Sequence, residues 1–232
     1  MSEGRIGRVL VASLHQGIAD VLPDRLEFYE NWLNGAGLRE GTIGLGALTA
    51  VISFLRTEGE AYTQVTTRAG QYAGEWTFRS LPVMEQRLIA ALPVGLRTRG
   101  ALRAARGLVR ATYPGTRALV TLRGGVASVD LRGSLFCEVR VASPFPLCGY
   151  YATAMARVLE LFAVPVEIRL LACRASGGHR GCTLTLSTPG ARPAAVPETD
   201  AASPEAEALP DIDISADADR PPSSDERAAG TA

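Results

Sequence analysis

The chain has 232 residues, and its 24 basic side chains, all of them arginine, balance 24 acidic ones. The absence of lysine excludes Schiff-base chemistry and the phosphate-binding lysine of a P-loop. Only two histidines are present, so a histidine-rich metal site is excluded as well, while the 47% of apolar residues can bury one good core or two small ones.

Composition changes sharply after residue 187. From residue 188 onward the chain is rich in Pro, Ala, Ser, Asp and Glu and has no aromatic residue, so it cannot bury enough apolar surface to offset the entropy of ordering. Residues 1–187 carry 21 arginines against 14 acids, and residues 188–232 carry 3 against 10. We expect one basic domain over 1–187 and a disordered acidic tail over 188–232, which either adds solubility or interacts with the basic domain.

No targeting segment is evident at the N-terminus, which lacks the layout of a signal peptide. The uncharged run from Gly41 to Leu55 has 15 residues and is too short to span a bilayer. We therefore expect a cytoplasmic protein, in which cysteines are more often thiols or metal ligands than disulfides.

The first half of the chain has apolar residues at helical spacing. Helices are predicted from Ile6 to Ile18, from Pro23 to a stop at Gly35 and Gly37, from Leu45 to Arg56, from Glu60 to Trp76 and from Pro82 to Leu92.

A further helix, from Thr98 to Ala111, carries an arginine row. Arg99, Arg103, Arg106 and Arg110 are spaced 4, 3 and 4 residues apart, which places them on one stripe of the helix. No acidic residue occurs between Glu85 and Asp130. This basic stripe is either a solvated face or a surface for an anionic partner: phosphate, a membrane, another protein or the acidic tail.

The pattern then changes to the alternation of β-strands. Strands at Ala118–Leu122 and Val126–Leu131 flank a Gly-Gly turn, a helix follows from Phe145 to Phe162, and strands at Val166–Cys173 and Cys182–Leu186 form a second pair. The chain is therefore predicted to be α+β, with a helical N-terminal half packed on a small antiparallel sheet made of two hairpins joined by a helix.

Three cysteines are placed where their thiols can meet. Cys148 stands at the start of the predicted helix, and Cys173 and Cys182 flank the last turn. Three thiolates with His179 or a water would suit zinc; the alternatives are buried apolar cysteines or a reactive thiol at Cys148. Cys137 is expected to lie outside this group, in the core.

The segments Pro146-Leu-Cys148-Gly-Tyr150, Cys173-Arg-Ala-Ser-Gly177 and the strand that begins at Cys182 resemble the 4-vinyl reductase domain family. Its fold is shared with trafficking-complex subunits of the TRAPP type and with haem nitric-oxide sensors. The resemblance covers about residues 115–187. It implies a homodimer, a hydrophobic small molecule bound between helices and sheet, and a structural zinc held by cysteines and a Glu, for which this chain has Leu170.

The predicted ligand-lining residues are Tyr151, Met155 and Leu159 on the helix and Ile168 and Leu184 on the strands. No catalytic motif is recognisable in the sequence. The favoured hypothesis is a non-catalytic sensor or carrier domain for a hydrophobic ligand. The alternatives are an accessory protein or reductase of bacteriochlorophyll (tetrapyrrole) biosynthesis, and an assembly module of the TRAPP type that docks through its basic stripe.

Overall fold

The computed structural model describes residues 6–33, 44–177 and 180–187. The predicted tail over 188–232 therefore lies outside the described residues, as do Gly35, Gly37 and His179.

The helices follow the predicted order. They are α1 (Arg8–Val21), α2 (Leu26–Leu33), α3 (Leu45–Thr57), α4 (Glu60–Ser80), α5 (Val83–Ala91), α6 (Val94–Thr112) and α7 (Gly149–Leu161). The largest differences from the predicted starts, four residues each, are at α6 and α7. Helix α6 starts early, directly after Pro93, and α7 starts late, at Gly149, because Cys148 occupies its N-cap.

Four strands form one antiparallel sheet with the order β1-β2-β4-β3. They are β1 (Arg117–Arg123), β2 (Val126–Arg132), β3 (Glu167–Ala172) and β4 (Cys182–Ser187). Hairpin β1–β2 and hairpin β3–β4 are connected through α7 and meet where β2 pairs with β4. The α+β prediction, with two hairpins joined by a helix and a helical N-terminal half packed against the sheet, is confirmed.

The β1–β2 turn shows why the sequence predicted it well. Gly124 and Gly125 have φ values of +55° and +80°, a pair of positive values that a type I′ hairpin turn requires and that glycine adopts without strain.

One face of the sheet is covered by helices. Along β2, Ala127, Val129 and Leu131 are buried while the residues between them are more exposed, as expected for a sheet with one covered face. Helix α6 lies against β1, and α7 lies between β3 and α4, which in turn packs on α1.

The contact between α4 and α7 is close because α4 has glycine there. A Cβ atom added at Gly70 would lie 2.6 Å from the carbonyl oxygen of Tyr150 in α7. This approach positions the start of α7, and with it Cys148, against the centre of the helical half.

No helix within residues 6–33 and 44–187, as far as they are described, is long and apolar enough to cross a membrane.

Candidate metal centre

Four cysteines meet at the end of the sheet where β2 and β3 end and β4 begins. Cys137 ends a 3₁₀ helix (Leu135–Cys137) after β2, and Cys148 is the N-cap of α7. Cys173 follows β3 directly, and Cys182 is the first residue of β4, paired with Leu131 of β2. These four residues, called the cysteine cluster below, thus come from four separate elements.

The ligand atoms of the cysteine cluster all lie within 4.8 Å of one another. The Sγ atom of Cys137 is 3.4 Å from that of Cys182 and 3.6 Å from that of Cys173, and the latter two are 3.8 Å apart. All four cysteines are free thiols, since a disulfide bond would need about 2.05 Å.

The expectation that Cys137 lies outside the group is wrong, because the 3₁₀ helix after β2 turns its side chain back to the others. Four sulfurs around a tetrahedral ion with bonds of about 2.3 Å would be separated by about 3.8 Å. The separations of 3.4 to 3.8 Å among Cys137, Cys173 and Cys182 are close to this value, and Cys148 lies within 4.8 Å of them. A set of four sulfurs at tetrahedral spacing suits zinc or iron.

Backbone groups around the cysteine cluster suit ionised sulfur. The N–H of Leu147 donates to the Sγ atom of Cys173, and the N–H of Arg174 donates to that of Cys182, both at 3.4 Å. Hydrogen bonds from Cys137, Cys148 and Cys182, with the Leu147 amide, lower the pKa of Cys173. Hydrogen bonds from Cys137 and Cys148 also lower the pKa of Cys182, whereas the pKa values of Cys137 and Cys148 are raised, that of Cys148 by hydrogen bonds with the other three thiols. Cys173 and Cys182 are thus the thiols that ionise first, and their buried charge needs compensation by a cation.

The segment between β2 and α7, which carries Cys137 and Cys148, is tied down by α3 and α4. The guanidinium of Arg56 donates to the carbonyl oxygens of Leu135 and Phe136, at 3.3 and 2.9 Å. The hydroxyl of Tyr62 donates to the Leu147 carbonyl at 2.9 Å. These bonds fix the two cysteines from the helical side, as the strands fix the other two.

The predicted ligand-lining residues belong to the hydrophobic core or pack against it. Tyr151, Met155, Leu159 and Leu184 are wholly buried, and Ile168 is partly buried against the core. The hydroxyl of Tyr151 is 3.1 Å from Oγ1 of Thr112 and is thus satisfied within the fold. Burial raises the pKa of this tyrosine, so it is present as the neutral phenol.

The basic stripe lies on the exposed side of α6, as the helical spacing predicts. Its C-terminal end borders a surface pocket of about 450 Å³ between α6 and the edge strand β1. Arg106, Arg110 and Arg117 line this pocket together with Pro114, Thr116, Ala118 and Leu119.

No family model matches the chain, and no curated protein matches it. Among solved structures, the phenol-responsive sensory domain of the transcription activator PoxR, in complex with phenol, is similar with a TM-score of 0.40. The two chains are 16% identical, and the similarity covers 61% of this chain and 73% of that chain. A similarity this distant does not fix the function of this chain.

Proposed function

We propose that this chain is a non-catalytic ligand-binding domain of the 4-vinyl reductase type, with a structural zinc ion held by the cysteine cluster. The observation that carries the proposal is the convergence of four thiols at the start of α7. This is the helix on which the resemblance places the ligand.

A set of four cysteines favours a structural role for the metal. Zinc with four protein ligands has no open position for water or substrate, whereas catalytic zinc keeps one. The ion would tie the segment after β2, the start of α7 and hairpin β3–β4 to one point. It would supply positive charge inside the fold and take no part in a reaction.

The resemblance to the 4-vinyl reductase family supports the same zinc site, with one of the four metal ligands changed. In the family the zinc is held by cysteines and a Glu, and this chain has Leu170 instead of that Glu. Cys137 would take the fourth position, so a ligand of the same charge would come from a different element of the fold.

The ligand would be a hydrophobic small molecule bound between α7, α4 and the sheet, against Tyr151, Met155, Leu159, Ile168 and Leu184. Four of these side chains are fully buried. A ligand must therefore take space from existing packing, and its binding would shift α7. Such a coupling between occupancy and helix position suits a sensor or carrier.

Metal analysis of the freshly purified full chain tests the zinc assignment. We expect about one zinc per chain, lost in Cys137→Ser as completely as in Cys148→Ser, and retained in His179→Ala. Zinc retained by Cys137→Ser and lost in His179→Ala would refute the four-cysteine site. Iron in place of zinc would refute the metal identity but leave the site intact.

Native mass spectrometry and thermal shift test the ligand assignment. Apolar probes of increasing size, from single aromatic rings to medium-chain fatty acids, should include one that raises the melting temperature. Met155→Phe should reduce that shift by filling the space, and Met155→Leu, which conserves volume, should keep it. If no probe stabilises the protein and both variants behave alike, the ligand proposal fails and the assembly-module alternative gains support. Visible absorbance of a retained molecule would favour the tetrapyrrole alternative.

The resemblance also implies a homodimer, and one exposed aromatic group offers a face for it. Phe28, Trp32 and Phe54 are 43%, 41% and 38% exposed although the ring of Phe54 contacts both of the others. Light scattering should give twice the chain mass for the parent and a monomer for Trp32→Ser. A monomeric parent at high concentration would contradict the dimer.

A further inference from the structure

Helices α5 and α6 expose a group of apolar side chains. Val83, Met84 and Leu88 in α5 are 60%, 75% and 66% exposed, and Val94 and Leu96 at the start of α6 are 56% and 49% exposed. These five residues are called the apolar patch. Apolar residues scattered singly on a surface are ordinary, whereas five on two consecutive helices are more typical of an interaction site.

The orientation of α5 explains why its apolar residues remain outside. Two residues of α5 face inward. The side-chain amide of Gln86 donates to the carbonyl oxygens of Phe78 and Leu81, and Ile89 packs against Gly100 of α6. Met84 and Leu88 lie one turn apart on the other side of the helix.

The basic stripe continues from the apolar patch on the same helix face. Leu96 precedes Arg99, Arg103, Arg106 and Arg110 at spacings of 3, 4, 3 and 4 residues. Within the described ranges none of these arginines forms an ion pair. The row ends at the pocket that Arg117 also lines.

We propose that the α5–α6 face docks on an anionic phospholipid membrane, with the apolar patch inserted among the acyl chains and the basic stripe on lipid phosphates. Exposed apolar side chains flanked by arginine are the composition of helices that lie in a membrane interface. Arginine binds phosphate through paired N–H groups.

Charge favours a lipid surface over a second copy of the chain. Residues 86–112, which cover most of α5 and all of α6, contain six arginines and no acidic residue. Two copies joined through this face would set two rows of arginines side by side without acidic partners from the same segment. Each arginine near an anionic bilayer instead gains attraction that decays within a Debye length.

Co-sedimentation of the full chain with vesicles tests the proposal. The protein should bind phosphatidylcholine vesicles that contain phosphatidylserine, bind pure phosphatidylcholine vesicles far more weakly, and dissociate as salt is raised. Because this experiment uses the unmodified chain, its result does not depend on the folding of any variant.

Two pairs of variants assign the binding to this face. Arg106→Gln/Arg110→Gln should weaken binding to anionic vesicles about 10- to 30-fold, whereas Arg123→Gln/Arg140→Gln, which removes the same charge from exposed positions elsewhere, should bind like the parent. Met84→Ser/Leu88→Ser should weaken it about 10-fold, and Val141→Ser/Leu171→Ser should not.

Equal affinity for charged and neutral vesicles, or equal loss in test and control pairs, would overturn the proposal. So would a dimer that Met84→Ser/Leu88→Ser dissociates while the parent ignores vesicles, because the patch would then join two copies. The zinc and ligand measurements above do not depend on lipid, so failure here leaves the proposed function intact.

Discussion

The side chains of the cysteine cluster find their interaction partners inside the fold, whereas those of the α5–α6 face do not. At the cysteine cluster, thiols, backbone amides and carbonyls all find partners inside the fold. On the α5–α6 face, apolar side chains and guanidinium groups point outward, and the arginines of the basic stripe form no ion pair with the described residues.

This difference separates stability from docking. A group whose partners are all internal contributes to the free energy of unfolding, and its loss leaves buried partners unsatisfied. A group without internal partners contributes little to folding and is available to water or to a partner outside the chain. Substitutions in the two regions should therefore affect different measurements.

The largest effect is expected at the cysteine cluster. Cys137→Ser should lower the free energy of unfolding by about 4 kcal/mol or more, because metal binding is coupled to folding. In a domain of this size that corresponds to a fall in melting temperature of about 10 °C. Differential scanning calorimetry of the parent with and without a chelator should reproduce the loss. A variant that melts like the parent would show that the cluster is only core.

Replacing either of two helical glycines by alanine should change the free energy of unfolding, in opposite directions at the two positions. Gly70→Ala places a Cβ atom 2.6 Å from the Tyr150 carbonyl oxygen, so α4 and α7 must separate, at a cost of about 1–3 kcal/mol. Gly107→Ala in α6 meets nothing within 4 Å and should stabilise the protein by up to about 1 kcal/mol. Urea unfolding measures both. The same sign for both variants would contradict the close α4–α7 packing.

Alkaline pH should weaken the region around the cysteine cluster. Burial raises the pKa of Tyr62 above its ordinary value of about 10. The folded state keeps this proton while the unfolded state loses it, so stability is unaffected below pH about 10 and falls as the pH rises further.

Tyr62→Phe should remove that part of the alkaline loss. It should also cost about 1 kcal/mol at neutral pH, because the Leu147 carbonyl loses its donor. Urea unfolding at neutral pH and above the ordinary tyrosine pKa checks both effects. An alkaline loss of unchanged size in Tyr62→Phe would place its origin elsewhere.

The smallest effect is expected on the α5–α6 face. Arg106→Gln/Arg110→Gln should change the free energy of unfolding by less than about 0.5 kcal/mol, as for surface positions without partners. Arg157→Gln, which breaks a 2.7 Å ion pair with Glu75, should cost up to about 1 kcal/mol. Thermal melts of the two variants compare them directly. A larger loss for the double variant would mean that the basic stripe has internal partners.

The sequence predicted the architecture well because its signals are local. The glycine pair at 124–125 determines the first hairpin, since few other residues accept two positive φ values. Helical spacing located the basic stripe, because side chains three and four residues apart share a face wherever the helix packs.

The sequence predicted the cysteine cluster only in part. Cys148, Cys173 and Cys182 stand at the ends of predicted elements, where their meeting could be expected. Cys137 joins them because a 3₁₀ helix after β2, tied by Arg56, turns the chain back. Nothing in the residues around Cys137 indicates that distant contact.

The apolar patch shows what sequence by itself left open. Apolar residues at helical spacing in α5 indicate a helix with one apolar side, but not which side meets the core. Chain order and residue type thus determined the elements, the hairpins and the row of arginines. Only the tertiary structure decided that Gln86 and Ile89 turn inward and Met84 and Leu88 outward, and that a fourth cysteine completes the cluster, because both depend on contacts between residues far apart in the chain.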